Sequence, residues 1–94
     1  MEKIIDLGRL CIKTAGREKG RLCVVISNPQ GGKVMITGAR KYYMCRRRLC
    51  NIKHLMPTRY KIDIQENASD EEVEKKLKEQ GIIDKFGLRK VLKK

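Results

Sequence analysis

The first two thirds of the chain consist of short apolar runs with interleaved polar residues, separated by segments that contain glycine or proline. Two runs, at 4–14 and 20–27, flank the charged segment AGREKG, which predicts a β-hairpin whose turn uses Gly16 and Gly20 at positive φ. The expected core-facing residues are Leu10, Ile12, Leu22, Val24 and Ile26, and the expected solvent-facing residues are Arg9, Lys13 and Arg21. The alternation is imperfect, because two cysteines and a valine on the opposite face are also apolar.

Three more strands are predicted after this hairpin. The turn segment NPQGG precedes the apolar run KVMITG, which is predicted to be the third strand. Met56 and Pro57 are expected to end the fourth strand, RLCNIKHL. The predicted strands are 33–38, 48–55 and 60–64. Short strands at a spacing of roughly ten residues, joined by glycine and proline turns, are typical of a small antiparallel barrel.

The pattern changes to helical spacing in the segment ENASDEEVEKKLKEQG. Ser69 with Glu72 three residues later is a capping-box pattern, and Val73 and Leu77 lie one turn apart on the same face. These features predict a helix over about 70–80.

The C-terminal end is predicted to continue as a short helical segment. Gly81 is expected to end the first helix, and 84–92 to add a last turn or two, although Gly87 weakens it. The residues expected to dock this end are Ile82, Ile83, Phe86, Leu88, Val91 and Leu92. We therefore divide the chain into a barrel at 1–64 and a helical extension at 65–94 that packs on it.

Positive charge is concentrated in the predicted barrel. The net charge is +12; residues 1–61 contain 15 Lys/Arg and 3 Asp/Glu, whereas residues 62–94 contain 8 of each. A compact domain with this excess repels itself unless a polyanion neutralises it, and nucleic acid is the commonest such partner. The alternative is a soluble protein that is merely basic.

Targeting and membrane segments are not indicated. No apolar run approaches the ~20 residues that span a bilayer, and charged residues interrupt the N-terminal segment where a signal peptide would be apolar. We therefore expect a cytoplasmic protein without a membrane role, whose cysteines are reduced.

The four cysteines do not have the spacing of a zinc knuckle. Cys11, Cys23, Cys45 and Cys50 are separated by 11, 21 and 4 residues, and two of them lie in predicted strands, where a free cysteine packs as a small hydrophobe. We expect packing roles, with zinc binding or redox chemistry as the alternatives. The single histidine, His54, has no visible catalytic partner, so we expect no enzyme activity, metal or cofactor.

Several basic and aromatic side chains are candidate nucleic-acid contacts. The hairpin turn contains three of them: Arg17, Lys19 and Arg21. Tyr42 and Tyr43 follow Arg40 and Lys41, an arrangement that suits base stacking beside phosphate contacts, although one tyrosine is expected to fill the core instead. The run Arg46, Arg47 and Arg48 suits bidentate phosphate binding, with a nuclear-import signal as a weaker alternative.

The chain resembles a ribosomal protein family. The segment LGRLCIKTAGREKGRLCVVI (7–26) is similar to a KOW motif, and VMITG, RRRLCNIKHLMPT, KIDI and NASDEEVEKKLKEQG follow in the order of the archaeal/eukaryotic-type fourteenth protein of the large ribosomal subunit. The resemblance covers about residues 4–83. It implies an SH3-like five-stranded barrel with a C-terminal helical extension, bound to large-subunit ribosomal RNA and without catalysis.

The resemblance also implies particular contacts and partners. The RNA contacts carried over are Arg17, Lys19, Arg21, Arg46, Arg47, Arg48, Asn51, Lys53 and His54; contacts by the tyrosines are inferred from the residues alone. The expected partners are large-subunit rRNA and neighbouring ribosomal proteins, with no small-molecule substrate and a monomer in isolation. A KOW-type transcription or RNA-processing factor and a zinc- or thiol-dependent enzyme are the competing hypotheses.

Overall fold

The computed structural model describes residues 5–39, 42 and 44–86. Its elements are, in order, β1 (Arg9–Lys13), β2 (Leu22–Val25), β3 (Lys33–Thr37), β4 (Arg48–Asn51), a 3-10 turn (Ile52–His54), β5 (Leu55–Lys61), α1 (Asp70–Glu79) and α2 (Ile82–Lys85). The strands form one antiparallel sheet in the order β4-β3-β2-β1-β5. The predicted fold class, mainly β with five strands and a C-terminal helix, is confirmed.

The sheet is strongly curved, because its two outermost strands are consecutive in the chain. In a flat sheet β4 and β5 would lie about 19 Å apart, four times the usual strand spacing. Only the 3-10 turn connects them, and such a turn advances about 2 Å per residue. The sheet therefore curls until its two edges approach each other, which is the barrel geometry that the sequence predicts.

Each face of the sheet carries an apolar cluster. Every strand contributes to a first apolar cluster, which we call the barrel core: Ile5, Cys11, Cys23, Val25, Val34, Ile36, Cys45, Cys50 and Leu55. The opposite face joins the helices in a second cluster, the helix-side core, which includes Leu10, Leu22, Val24, Ile26, Val73 and Leu77. The residues on both faces of β2 are therefore buried, which explains why its apolar alternation is imperfect.

One charged residue of the hairpin is buried, contrary to the prediction. The alternation predicts that Lys13 faces solvent, but it is only 6% exposed because it shares the inward face of β1 with Cys11. Its ammonium extends toward the hairpin loop, where a Cβ placed on Gly16 would lie 3.9 Å from Nζ.

The boundary between the fourth and fifth strands differs from the prediction. β4 ends at Asn51, where the side-chain Oδ1 accepts a hydrogen bond from Lys53 N–H (2.9 Å) and caps the 3-10 turn. β5 then begins at Leu55, so Met56 and Pro57 lie inside a strand rather than ending one. Proline is tolerated here because β5 is an edge strand with a register irregularity opposite β1.

The first helix matches the prediction of a helix over about 70–80, whereas α2 begins already at Ile82 and most of the predicted segment 84–92 lies outside the described residues. The Ser69 hydroxyl accepts a hydrogen bond from Glu72 N–H (3.1 Å), and Val73 and Leu77 are buried. Gly81 has φ 71 between α1 and α2, as a helix stop requires. Of the expected docking residues, Ile82 and Ile83 are buried and Phe86 packs edge-on against Tyr60, whereas Leu88, Val91 and Leu92 lie outside the described residues. Within the described part of the chain, neither helix has the length and apolarity needed to cross a membrane.

Gly8 provides a test of how tightly the barrel closes. Its N–H donates to Val25 O (2.7 Å) and its carbonyl accepts from Ile62 N–H (2.9 Å), so it connects β2 to the end of β5. Gly8 and Gly20 have nearly the same φ, +86 and +88, but a Cβ would collide with the Ile62 carbonyl only at Gly8. We expect Gly8→Ala to lower the free energy of unfolding by about 3–5 kcal/mol and Gly20→Ala by about 1–2 kcal/mol, measured by urea denaturation. Equal losses would contradict this account of Gly8.

Candidate nucleic-acid interface

The loop of the first hairpin presents basic side chains at one end of the barrel. Lys13 N–H donates to Arg21 O (2.9 Å) and Gly20 N–H donates to Lys13 O (2.7 Å), which closes the loop. Gly16 and Gly20 have positive φ as predicted. The loop exposes Arg17 and Lys19, while Arg21 is half-buried at its base. We call residues 14–21 the hairpin loop.

A buried carboxylate connects the hairpin loop to the arginine run 46–48. The side chain of Glu18 is 7% exposed. Its Oε2 accepts a hydrogen bond from the backbone N–H of Arg46 (2.9 Å). Guanidinium nitrogens of Arg21 and Arg48 lie 3.9 and 4.0 Å from its carboxylate oxygens, close enough for ion pairing but beyond hydrogen-bond distance. The hairpin loop and the arginine run are therefore adjacent in the fold.

The 51–54 turn adjoins the same loop. Thr14 N–H donates to the carbonyl of His54 (2.8 Å), which joins the start of the hairpin loop to the 3-10 turn. Lys53 and His54 are exposed and Asn51 is half-buried with its Oδ1 engaged in the cap. The structure thus brings three separate basic segments of the chain together around one loop, although 46–54 lies about thirty residues away in sequence.

The middle arginine of the run is held by the protein itself. Arg47 Nη1 donates to the carbonyl of Ala68 (2.8 Å) and to Asp70 Oδ1 (3.0 Å). The same Asp70 oxygen accepts a hydrogen bond from the buried Thr37 hydroxyl (2.6 Å). Arg47 therefore joins the barrel to the start of α1. Its predicted RNA contact is untested, and it would compete with these bonds.

Tyr42 fills the core. It is 8% exposed and belongs to the helix-side core, with the Lys78 ammonium 5.9 Å from its ring centroid. This corrects the prediction that Tyr42 stacks on a base, because stacking would require the ring to leave the core. It also agrees with the expectation that one tyrosine of the pair packs inside. Arg40, Lys41 and Tyr43 lie outside the described residues, so their predicted RNA contacts stay predictions.

All four cysteines are buried in the barrel core as free thiols. A hydrogen bond in which Cys23 donates to Cys45 raises the pKa of Cys23 and lowers the pKa of Cys45, because it favours a thiolate at the acceptor. The Cys45 thiol also donates to Arg21 O (3.8 Å), which holds the base of the hairpin loop. Among the described residues, no group of three His, Cys, Asp or Glu side chains is arranged to hold a metal ion.

Sequence reasoning missed the two acidic residues that organise this surface. Glu18 lies within the basic turn GREKGR, and its isolation among cations was the available signal, since residues 1–61 contain only three acidic residues. Asp70 has the sequence position of an ordinary first-turn carboxylate, and nothing in the sequence indicates that Thr37 and Arg47 converge on it.

The role of Arg47 can be tested by comparing it with its neighbour. Arg47→Ala should lower the free energy of unfolding by about 1–2 kcal/mol, because it removes hydrogen bonds of a half-exposed guanidinium between barrel and helix. Arg46→Ala should change it by less than about 0.5 kcal/mol, because toward the described residues only the backbone N–H of Arg46 makes a hydrogen bond. Urea denaturation followed by circular dichroism measures both, and equal losses would contradict the assignment.

Burial of the cysteines predicts slow thiol chemistry. Ellman's reagent should modify the native thiols at least about 100-fold more slowly than thiols unfolded in guanidinium chloride, because reaction requires opening of the barrel core. Absorbance at the wavelength of the released thiolate follows the reaction. Rapid modification of even one thiol in the native protein would contradict this packing and favour a redox role.

Similar proteins carry one shared name. A protein named large ribosomal subunit protein eL14 from Metallosphaera sedula is 46% identical over 81 residues, covering 86% of this chain and 84% of that protein. Proteins of the same name from Saccharolobus islandicus and Aeropyrum pernix are 48% and 45% identical, over 85% and 89% of this chain and 83% and 84% of their own lengths. No protein-family model matches the chain. Identity at this level across most of both sequences shows that the chain belongs to the eL14 family of large ribosomal subunit proteins.

Proposed function

We propose that this protein is a non-catalytic, structural component of the large ribosomal subunit that binds large-subunit rRNA. The observation that carries the proposal is the meeting of the three basic segments around the hairpin loop, in a chain whose relatives are named as large-subunit proteins. The expected contacts are Arg17, Lys19, Arg21, Arg46, Arg48, Asn51, Lys53 and His54. The ribosome, and hence the cytoplasm, is its expected location.

The mechanism is electrostatic. The barrel backbone holds the three segments at fixed separations, so their cations meet closely spaced phosphates without a large loss of loop entropy on binding. Arg46 and Arg48 are exposed, and a guanidinium can bind two oxygens of one phosphate. Arg47 would act indirectly, by fixing the helix start against the arginine run.

The neutral C-terminal part would serve protein contacts. Residues 62–94 contain equal numbers of acidic and basic residues, so they contribute little to attraction of RNA. We propose that α1 and α2 form an extension packed on a barrel unit at 1–64, and that the outer surface of α2 meets neighbouring ribosomal proteins. The isolated protein is expected to be a monomer without a small-molecule substrate or cofactor.

A KOW-type transcription or RNA-processing factor remains the rival function. The names of the relatives favour the ribosome. Sedimentation separates the two hypotheses, because a structural component stays with large subunits at one copy per particle through moderate salt. A factor would appear at low copy number and dissociate. Enrichment with RNA polymerase or processing complexes instead of large subunits would overturn the proposal.

The arginine run should contribute measurably to RNA affinity. We expect the double variant Arg46→Ala/Arg48→Ala to bind large subunits stripped of this protein more weakly than the native chain. The magnitude of the slope of log affinity against log salt should fall by about 1.4–1.8, because two phosphate contacts are lost at about 0.7–0.9 each. Filter binding between about 50 and 200 mM salt measures both quantities.

The control is Lys75→Ala/Lys76→Ala, which removes the same charge from α1, where both lysines pair only weakly with Glu79. This variant should retain nearly the native slope. If the two double variants lose affinity and slope equally, net charge rather than the assembled surface determines binding. Native affinity of the arginine variant would show that the RNA surface lies elsewhere on the protein.

A further inference from the structure

Glu18 is a carboxylate at the centre of a basic surface. It is the only acidic residue in the hairpin loop, the arginine run and the 51–54 turn together. Its side chain is more than nine-tenths buried, and among the described residues its Oε1 has no hydrogen-bond partner. A negative charge in this position repels RNA and costs desolvation energy. A favourable effect of Glu18 on RNA binding must therefore come from its contacts rather than from its charge.

Glu18 contacts both the hairpin loop, to which it belongs, and the arginine run. Within the hairpin loop, the backbone carbonyl of Glu18 accepts a hydrogen bond from Arg21 N–H (3.0 Å). Its Oε2 accepts the Arg46 backbone N–H, which fixes the first residue of the arginine run. Its Oε1 lies 4.0 Å from a guanidinium nitrogen of Arg48, which is 55% exposed and still faces solvent.

We propose that Glu18 is the positioning residue that builds one phosphate-binding site from two loops. By holding the arginine run against the hairpin loop, it directs cations of both segments to the same stretch of RNA backbone. The ion pair with Arg48 is long, so this guanidinium keeps hydrogen-bond donors for phosphate oxygens while the carboxylate restrains its position. This inference rests on the proposed RNA-binding function.

The proposal makes a prediction of opposite sign to simple electrostatics. Glu18→Ala raises the net positive charge by one, so charge alone predicts tighter binding to any polyanion. Loss of positioning predicts weaker binding to the native RNA surface, by about tenfold, with unchanged or stronger retention on heparin. The matched control is Glu79→Gln, which removes one negative charge from an exposed position on α1.

The conservative variant separates positioning from charge. In Glu18→Gln the amide oxygen can still accept the Arg46 N–H, so this variant should bind within about threefold of the native chain and better than Glu18→Ala. If Glu18→Ala does not fold, Glu18→Gln decides, because it should still bind stripped large subunits more weakly than Glu79→Gln.

Binding to stripped large subunits and retention on heparin are measured for the native chain and all three variants, with circular dichroism as the check of folding. A folded Glu18→Ala that binds as tightly as the native chain overturns the inference, as does a Glu18→Gln no better than a folded Glu18→Ala. In the fallback case, Glu18→Gln equal to Glu79→Gln overturns it. If neither the native chain nor Glu79→Gln binds at all, the proposed function is refuted. This outcome differs from failure of the Glu18 inference, in which both of them bind.

Discussion

Burial of the first hairpin on both faces is the constraint from which the rest of the architecture follows. β2 lies in the middle of the sheet, and all four of its residues are buried. The face in the barrel core is buried only if the other strands curl around it, and the face in the helix-side core is buried only if the helices cover it. A chain of 94 residues with four aromatic side chains can bury both faces only by using small aliphatic and thiol groups.

The two carboxylates of the basic part that the structure describes, Asp6 and Glu18, lie where segments must be joined. Asp6 accepts hydrogen bonds from Arg9 Nε and Lys61 Nζ, both at 3.0 Å, and so connects β1 to β5. Burial acts to raise the pKa of Asp6, but these two bonds outweigh it and hold the pKa below its usual value. Glu18 joins the hairpin loop to the arginine run, and Asp70, from the neutral part, joins barrel to helix. In a chain with excess positive charge, a carboxylate placed between two cations offsets their repulsion and fixes their separation.

The local features of the fold were readable from the sequence because they depend on neighbouring residues. The hairpin turn depends on Gly16 and Gly20, and the helix start depends on Ser69. The strand boundary at Asn51 is not predictable from apolar alternation, because a side-chain cap and a register irregularity opposite β1 decide it. The burial of Lys13 is unpredictable for a related reason: alternation identifies two faces of a strand, but it cannot tell which face is inward when both are buried.

The candidate interface was predictable as a set of residues but not as an arrangement. Charge segregation identified the hairpin loop and the arginine run, and family resemblance added the 51–54 turn. Their convergence depends on long-range bonds, such as the one from Thr14 to His54, that no local pattern encodes. Within the arginine run, Arg47 bonds to the start of α1, whereas Arg46 and Arg48 stay exposed. This difference depends on where Asp70 lies after folding.

The pairing of β1 with β5 has a consequence for the order in which the chain can fold. Cys11 pairs with Pro57, so one side of the first strand has no partner until the last strand has left the ribosome that synthesises it. The β1–β2 hairpin can form early, since its pairs are local, but closure of the barrel waits for non-local contacts. During that interval the nascent hairpin exposes an open edge, and the charges of Arg9 and Lys13 along it would discourage pairing with another unfinished chain.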